Sequence, residues 1–453
     1  VIIALSSSSF SKMLISKIKR LLISLFQKNQ FGFISGHGYL SPNQLLELNE
    51  MLTNPNQLAI INESYENKFA EVVGNGRAIS FASARMAFYV LMDELGIDEG
   101  DEVLLTGFTC AVMSNAVLRR GAKPIYADVD DRSYGSSIES IQKLVTQKTK
   151  IIVAQHTFGI PCEIAKIVDF GRKNNIFILE DCALSFDSLV DGAKLGNWGD
   201  AAIFSTDHTK PINTMIGGIL YSQNLDLLKK IKSKTSDIPT LSKQHQKNLL
   251  RRIKFEGKYY VPSKYPRLPF YELLYRIASL FSLNKAPTFL DQDTGVPDVN
   301  LNNTQDYPYP ASLPSFLALL GIYEIEKWSA QRSLRVLILK KILNLFLETG
   351  YGSSVPEVYF DLNREIVPLR FIFSGSRKTL SFEALNKVVD TRWIWFKQPV
   401  IGAKNGLESL GYITGSCLVS EDICRQIVNL PCNFDESYLE MFIDSLRMEF
   451  QLK

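Results

Sequence analysis

The sequence is short of several features that would settle a role quickly. Its six cysteines, Cys110, Cys162, Cys182, Cys417, Cys424 and Cys432, include no CxxC pair. A chain of 453 residues does not need disulfide staples, so the thiols read as reduced and the compartment as cytoplasmic. The four histidines, His37, His156, His208 and His245, are equally dispersed and give no metal-ligand spacing, so no metal is expected. Neither sign of charge dominates: the net charge is +3, which makes no electrostatic case for a nucleic-acid partner. A long uninterrupted apolar run is missing as well. The N-terminal stretch VIIALSSSSFSKMLISKIKRLLISLFQKN is broken by Lys12, Lys17, Lys19 and Arg20, so it is neither a spanning helix nor a signal-peptide core.

What is present has the balance of a soluble globular protein, 46% hydrophobic and 21% charged, and the length suggests two or three domains. Residues 1–60 read as a helical extension. Within it Phe10, Leu14, Ile18, Leu21, Leu22 and Leu25 recur at helical spacing among basic residues, which predicts an amphipathic basic helix over 10–28. Residues 61–235 alternate strands and helices: a helix from Ala84 to Leu95, then the strands EVLLTG, PIYADV, KIIVAQH, IFILED and AAIFS with helical stretches between them. That rhythm predicts an α/β domain built on a mostly parallel sheet with helices on both faces, whose ligands bind at the carboxyl ends of the strands. Residues 236–310 break the pattern with prolines and a basic run, and read as an insertion carrying a second amphipathic segment over 265–285. Residues 311–453 begin with a long helix, Phe316 to Phe346, and continue into a smaller α/β domain.

The strand ends hold the candidate chemistry. IFILED ends in Asp181, AAIFS in Ser205, and IIVAQH in His156; FSTDHTKP then places Lys210 just past a hydroxyl-rich turn. Most lysines are solvated surface groups, but a buried one has a lowered pKa and can condense with a carbonyl. A buried strand-end carboxylate such as Asp181 needs a cationic partner. Ser83, Ala84 and Arg85 open a helix, where free N–H groups and the helix dipole favour an anion. Amine, carboxylate and anion cradle together fit pyridoxal 5'-phosphate, which needs a lysine on its carbonyl carbon, a carboxylate on its ring nitrogen and donors on its phosphate.

In strict order along residues 75–225, SARMAF, GIDEGDEVLLTGFTCAVMSNAVLRRGAKPIYADVD, HTFGIP, EDCA, LGNWGDAAIFSTDHTK and GGILYS resemble the DegT/DnrJ/StrS sugar aminotransferases, a fold-type I pyridoxal phosphate family. The resemblance implies that Lys210 is the cofactor-bearing lysine, Asp181 the partner of the ring nitrogen, and Ser205 and Ser83 to Arg85 the phosphate contacts. His156 falls in the family's H-x-x-G element, where a catalytic role and a core role both stay open. It further implies an amino donor, glutamate, a nucleotide-linked keto-sugar acceptor for surface-glycan synthesis, and a homodimer. Lysine rather than histidine at 210 points to transamination, not deoxygenation. The chain departs from the family at four places: Ala84 and Arg85 replace part of the phosphate loop, Cys110 replaces a stacking aromatic, Leu184 a glutamine, and Pro310 an asparagine that reaches the partner subunit. Two other readings remain open. One is a fold-type I enzyme with a non-sugar substrate. The other is a catalytically retired scaffold at the inner face of the membrane, touching lipid through residues 10–28 and 265–285.

Overall fold

A computed structural model describes residues 31–53, 58–280, 307–375 and 382–451. The amphipathic helix expected over 10–28, and residues 281–285 of the second amphipathic segment, lie outside them.

Among the described residues ten strands precede the long helix: β1 (Arg77–Phe81), β2 (Glu102–Thr106), β3 (Thr109–Cys110), β4 (Lys123–Ala127), β5 (Thr149–Gln155), β6 (Phe177–Asp181), β7 (Leu189–Val190), β8 (Ala193–Lys194), β9 (Ala201–Ser205) and β10 (Gly218–Ser222). Seven make the main sheet in the order β1-β10-β9-β6-β5-β2-β4, and all of these but β10 run in one direction. Helices cover both faces, so the central strands are buried on both sides and read as continuous apolar runs; Ile151, Ile152, Val153 and Ala154 of β5 are all buried. The connecting helices are bounded by local signals. Ser137 caps Ile138–Leu144 by accepting from the Ser140 N–H, and Asn175, left-handed at φ 54°, ends Ile164–Asn174. The expected helix at Ala84 is found over Ala84–Glu94.

Residues 236–280, the described N-terminal part of the expected insertion, hold more regular structure than their composition suggests. Helices Lys243–Tyr259 and Leu268–Leu280 form within it. Leu249, Leu250 and Ile253 of the first are buried in the same core as the sheet.

The long helix, Ser315–Glu348, joins two hydrophobic cores. Phe316, Leu317 and Leu320 pack into the sheet's core, while Ile338, Ile342 and Phe346 belong to a second core with the C-terminal elements. That second part contains β11 (Arg364–Glu365), β12 (Arg370–Ser374), β13 (Val400–Ile401) and β14 (Ile427–Pro431), with β12 and β14 paired antiparallel. Two short pairings outside the main sheet tie the C-terminal part to the sheet domain: β11 on β7, and β13 in parallel with β3 at Cys110.

Candidate functional site

The strand order puts the sequence-predicted residues at one edge of the sheet. β6 ends at Asp181 and β9 at Ser205, and β10, running the other way, starts at Gly218 opposite both Ser205 and Phe81. Ser83, two residues past the end of β1, bridges Gly217. A side chain at Gly218 would collide with the backbone nitrogen of Ala84, and Gly217, at φ +147°, would drive one into Thr206. The glycine pair of GGILYS therefore lets the helix 84–94 start hard against β10. At that helix start the Ser83 hydroxyl is buried with no partner in the protein, an open donor beside the free N–H groups of the first turn.

Lys210 sits on the turn between β9 and β10, its backbone N–H donating to the Asp207 carbonyl (2.9 Å). Burial lowers the pKa of its amine; Asp207, Cys110 and Asp181 oppose the shift and the like charge of Arg370 adds to it. Asp181 is 4% exposed, and burial raises its pKa against the pull of the Ala183 N–H and of Lys210. The carboxylate accepts that N–H (2.9 Å), and among the described residues no cation lies within ion-pair distance of it, Lys210 and His156 acting on it from farther off. Cys110 begins the helix Ala111–Arg119 and lies within electrostatic reach of Lys210, Arg85 and Asp181; burial raises its thiol pKa. A half-buried amine with a lowered pKa, a buried carboxylate without an ion-pair partner and an open hydroxyl at a helix N-terminus fit the three demands of pyridoxal phosphate.

His156, just past β5, acts electrostatically on Asp181, but both its ring nitrogens are engaged elsewhere. Its Nε2 donates to Glu180 Oε2 (3.1 Å), and its Nδ1 accepts the Cys162 N–H (3.1 Å). Of the two readings left open for it, this geometry fits the core one. The ligand atoms of His156, Glu180 and Cys182 lie within 4.8 Å of one another, a convergence hidden by their spacing in the sequence. The carboxylate of Glu180 is already committed, however, accepting the N–H groups of Gly196, Trp198 and Gly199 as well.

The departures have structural counterparts. Arg85 donates through Nη2 to the Tyr307 hydroxyl (2.9 Å), and Tyr309, beside Pro310, lies under the Arg119 guanidinium at 4.3 Å, so the YPYP stretch packs on its own chain's helices. Leu184 joins the C-terminal core. Cys110 is met by β13, whose segment also brings Trp395 to the lysine, with Lys210 Nζ 5.0 Å from the indole centroid.

Three residues at or near this edge were missed in the sequence reading. Trp395 and Arg370 come from the C-terminal part; the Arg370 guanidinium lies between Trp395 (3.7 Å) and Phe33 (4.2 Å). Its Nη1 donates to the Trp393 carbonyl and to Asn429 Oδ1, while Nη2 is buried without a partner. Glu256, from the inserted helix 243–259, reaches the lysine turn by accepting from His208 Nε2 (2.8 Å). The clue for Arg370 was an arginine in the otherwise apolar run VPLRFIF. For Glu256, a polar residue of a polar helix, there was none.

Residues 47–250 match the sequence model of the DegT/DnrJ/EryC1/StrS aminotransferase family. That stretch, under half of the chain, resembles this family. Relatives similar to the chain include a GDP-perosamine synthase of Escherichia coli O157:H7, 35% identical over 36% of this chain and 45% of the relative. A UDP-N-acetyl-3-dehydro-alpha-D-glucosamine 3-aminotransferase of Acidithiobacillus ferrooxidans is 31% identical over 37% of this chain and 46% of the relative. The chain thus spans under half the length of these curated relatives. In three dimensions the likeness extends further: an aminotransferase of Psychrobacter cryohalolentis superposes with a TM-score of 0.65 at 17% identity, covering 91% of this chain and 98% of that one. DesV of S. venezuelae, solved with a ketimine intermediate, gives 0.64 at 17% identity, covering 90% and 95%. These superpositions show that the chain shares the fold of those aminotransferases. No helix among the described residues is long and apolar enough to cross a membrane.

Proposed function

We propose that the chain is a pyridoxal phosphate-dependent aminotransferase that passes an amino group from an amino acid, glutamate, to a nucleotide-linked keto-sugar. The observation that carries the reading is the half-buried Lys210 amine, its pKa lowered, on the same sheet edge as the cation-poor Asp181 and the Ser83 helix start. When bound, the cofactor supplies a carbonyl for the lysine and an electron-withdrawing ring. Ser83, the first N–H groups of helix 84–94 and Ser205 hold its phosphate, with Arg85 adding charge from one turn away. Asp181 gains the cation it lacks from the ring nitrogen and keeps that nitrogen protonated. Lys210 Nζ takes a proton from the donor's α-carbon and delivers it to the acceptor side, which a neutral amine can do and an ammonium cannot. The DegT/DnrJ/EryC1/StrS resemblance and the keto-sugar names of the relatives support the acceptor class. A homodimer and a role in surface-glycan synthesis belong to the same proposal.

The test is a titration of the purified protein with pyridoxal phosphate, followed by borohydride and peptide mapping, then by half-reactions with glutamate and a panel of nucleotide keto-sugars. A visible absorbance band, a reduced cofactor on the Lys210 peptide and loss of both in Lys210→Ala are expected. Wild-type protein that stays colourless and unlabelled refutes the reading.

A second reading concerns where the enzyme works. On helix 268–280, Phe270, Leu274 and Ile277 are 43%, 47% and 42% exposed at one-face spacing, with Arg267 and Arg276 exposed nearby. An apolar stripe with basic neighbours supports peripheral contact with an anionic membrane surface.

A further inference from the structure

Glu256 lies on helix 243–259, wholly buried, in the segment whose composition looked like a linker. Its two oxygens are divided between distant parts of the chain. Oε2 accepts from His37 Nδ1 (2.7 Å), and Oε1 accepts from His208 Nε2 (2.8 Å) and from Arg252 Nε (2.7 Å). The other nitrogen of His37, Nε2, donates to the backbone carbonyl of Asn213 (2.9 Å). His208 and Asn213 stand on either side of Lys210. One carboxylate therefore ties both flanks of the lysine turn, directly on one side and through an imidazole on the other.

Proton bookkeeping strengthens the picture. A carbonyl oxygen can only accept, so His37 Nε2 carries a hydrogen, and the bond to Glu256 requires a second proton between Nδ1 and Oε2. That proton belongs to the histidine: burial pulls the His37 pKa down but is outweighed by Glu256, with Glu324 and the Asn213 carbonyl adding to it, for a net rise. Glu256 is driven well below the carboxylate range, the cost of burial being outweighed by His208 and His37. The pair is imidazolium and carboxylate, and its bonds are charge-assisted. The local sequence is shaped for this contact. In Gly36-His37-Gly38, a side chain at either glycine would strike Tyr260 at the end of the inserted helix. The far side of the anchor is braced in turn, with Arg252 clamping Glu272 through two nitrogens (3.0 and 2.7 Å) and Tyr260 donating to Glu272 (2.6 Å).

We infer that Glu256 is a positioning residue for Lys210: through His208 and His37 it fixes the 208–213 turn, and with it the place of the lysine amine opposite Asp181. The inserted helix is then the brace of the catalytic turn. The inference deepens the aminotransferase reading and rests on it for the lysine's role, but its geometry and first test do not need the cofactor. The groups around His37 are Glu256 and Arg252 of the inserted helix, Glu324 and Lys327 of the long helix, Tyr39 beside it and His208 of the turn. Because the His37 pKa is raised, its share of the brace is complete below the ordinary histidine value and fades as pH rises through the raised one. Because that of Glu256 is depressed, its share fails only in acid, well below the usual carboxylate range.

The experiment uses the full chain without cofactor. Competitive labelling with acetic anhydride across pH, read by mass spectrometry on the Lys210 peptide, reports the reactivity and titration of that amine. Glu256→Gln, with wild-type-like circular dichroism, is expected to change Lys210 labelling several-fold, to move the His37 titration seen by NMR downward, and to weaken pyridoxal phosphate binding about tenfold or more, as loss of a buried charged hydrogen bond implies. Glu256→Asp, which keeps the charge, should recover part of each. Folded Glu256→Gln with Lys210 labelling and cofactor affinity both unchanged overturns the inference. If that variant does not fold, His208→Gln, which cuts only the direct tie, takes its place under the same two outcomes. Wild-type protein that never binds cofactor would sink the aminotransferase reading, while the labelling comparison would still decide the role of Glu256.

Discussion

Lys210 is tuned by unlike neighbours: burial lowers its pKa, Asp207 pulls it up and Arg370 pushes it further down. The signs give a paired prediction. Arg370→Gln removes a like charge, so the pH midpoint of Lys210 labelling should rise; Asp207→Asn removes an opposite charge, so it should fall. Midpoints that move together, or not at all, would show that Arg370 and Asp207 do not govern the amine. At this scale the sequence was informative wherever chemistry sat at a strand end, because an apolar run that stops at Asp181 or Ser205 announces both the strand and the residue at its mouth. Arg370 and Trp395 escaped because their place depends on the C-terminal chain returning to Cys110 through a two-residue pairing, which no local pattern encodes. His156 was ambiguous for a physical reason: the same strand-end position serves a ligand contact or, as found, a bond to Glu180.

Among the elements, β10 does the most with the fewest residues. It enters the sheet antiparallel between β1 and β9, and its opening glycines let the helix 84–94 approach without a gap. Gly218→Ala should therefore displace the Ser83 turn, lower stability by about 1–3 kcal/mol as overpacking does, and cost more in pyridoxal phosphate affinity than in stability. Chemical denaturation and a cofactor titration on one preparation check this; equal affinity in the variant would mean that the Ser83 turn does not hold phosphate. The parallel strands were legible because double-sided burial makes them continuously apolar. The inserted helix was not, since Lys243–Tyr259 buries only Leu249, Leu250 and Ile253 as apolar residues beside the polar His245, Asn248, Arg252 and Glu256, whose burial only the folded partners make sense of.

For the molecule as a whole, the surface of helix 268–280 sets a testable location. Wild-type protein should sediment with phosphatidylglycerol vesicles at low salt and be released at high salt, and the triple change Phe270→Ser, Leu274→Ser, Ile277→Ser should leave it in the supernatant. Wild-type protein that ignores the vesicles at low salt removes the membrane reading and leaves the stripe to a protein contact. Neither the stripe's exposure nor the division of the long helix between two cores could be read from periodicity, because both depend on what the rest of the chain happens to cover.

Residues 31–38 cross the molecule in a way that the domain boundaries conceal. Phe31 is bonded to Val388 and packed against Phe434 and Phe442 of the C-terminal core, Phe33 lies on Arg370, and His37 is locked to Glu256 and to the lysine turn. This short strap joins the two cores alongside the 315–348 helix and the β11–β7 and β13–β3 pairings, so the C-terminal part is tied to the sheet domain at several separate points. Any swing that carries Trp395 off Lys210 must tug on Phe33, and through His37 on the turn that holds the amine, so that opening the site and loosening its lysine become one and the same movement.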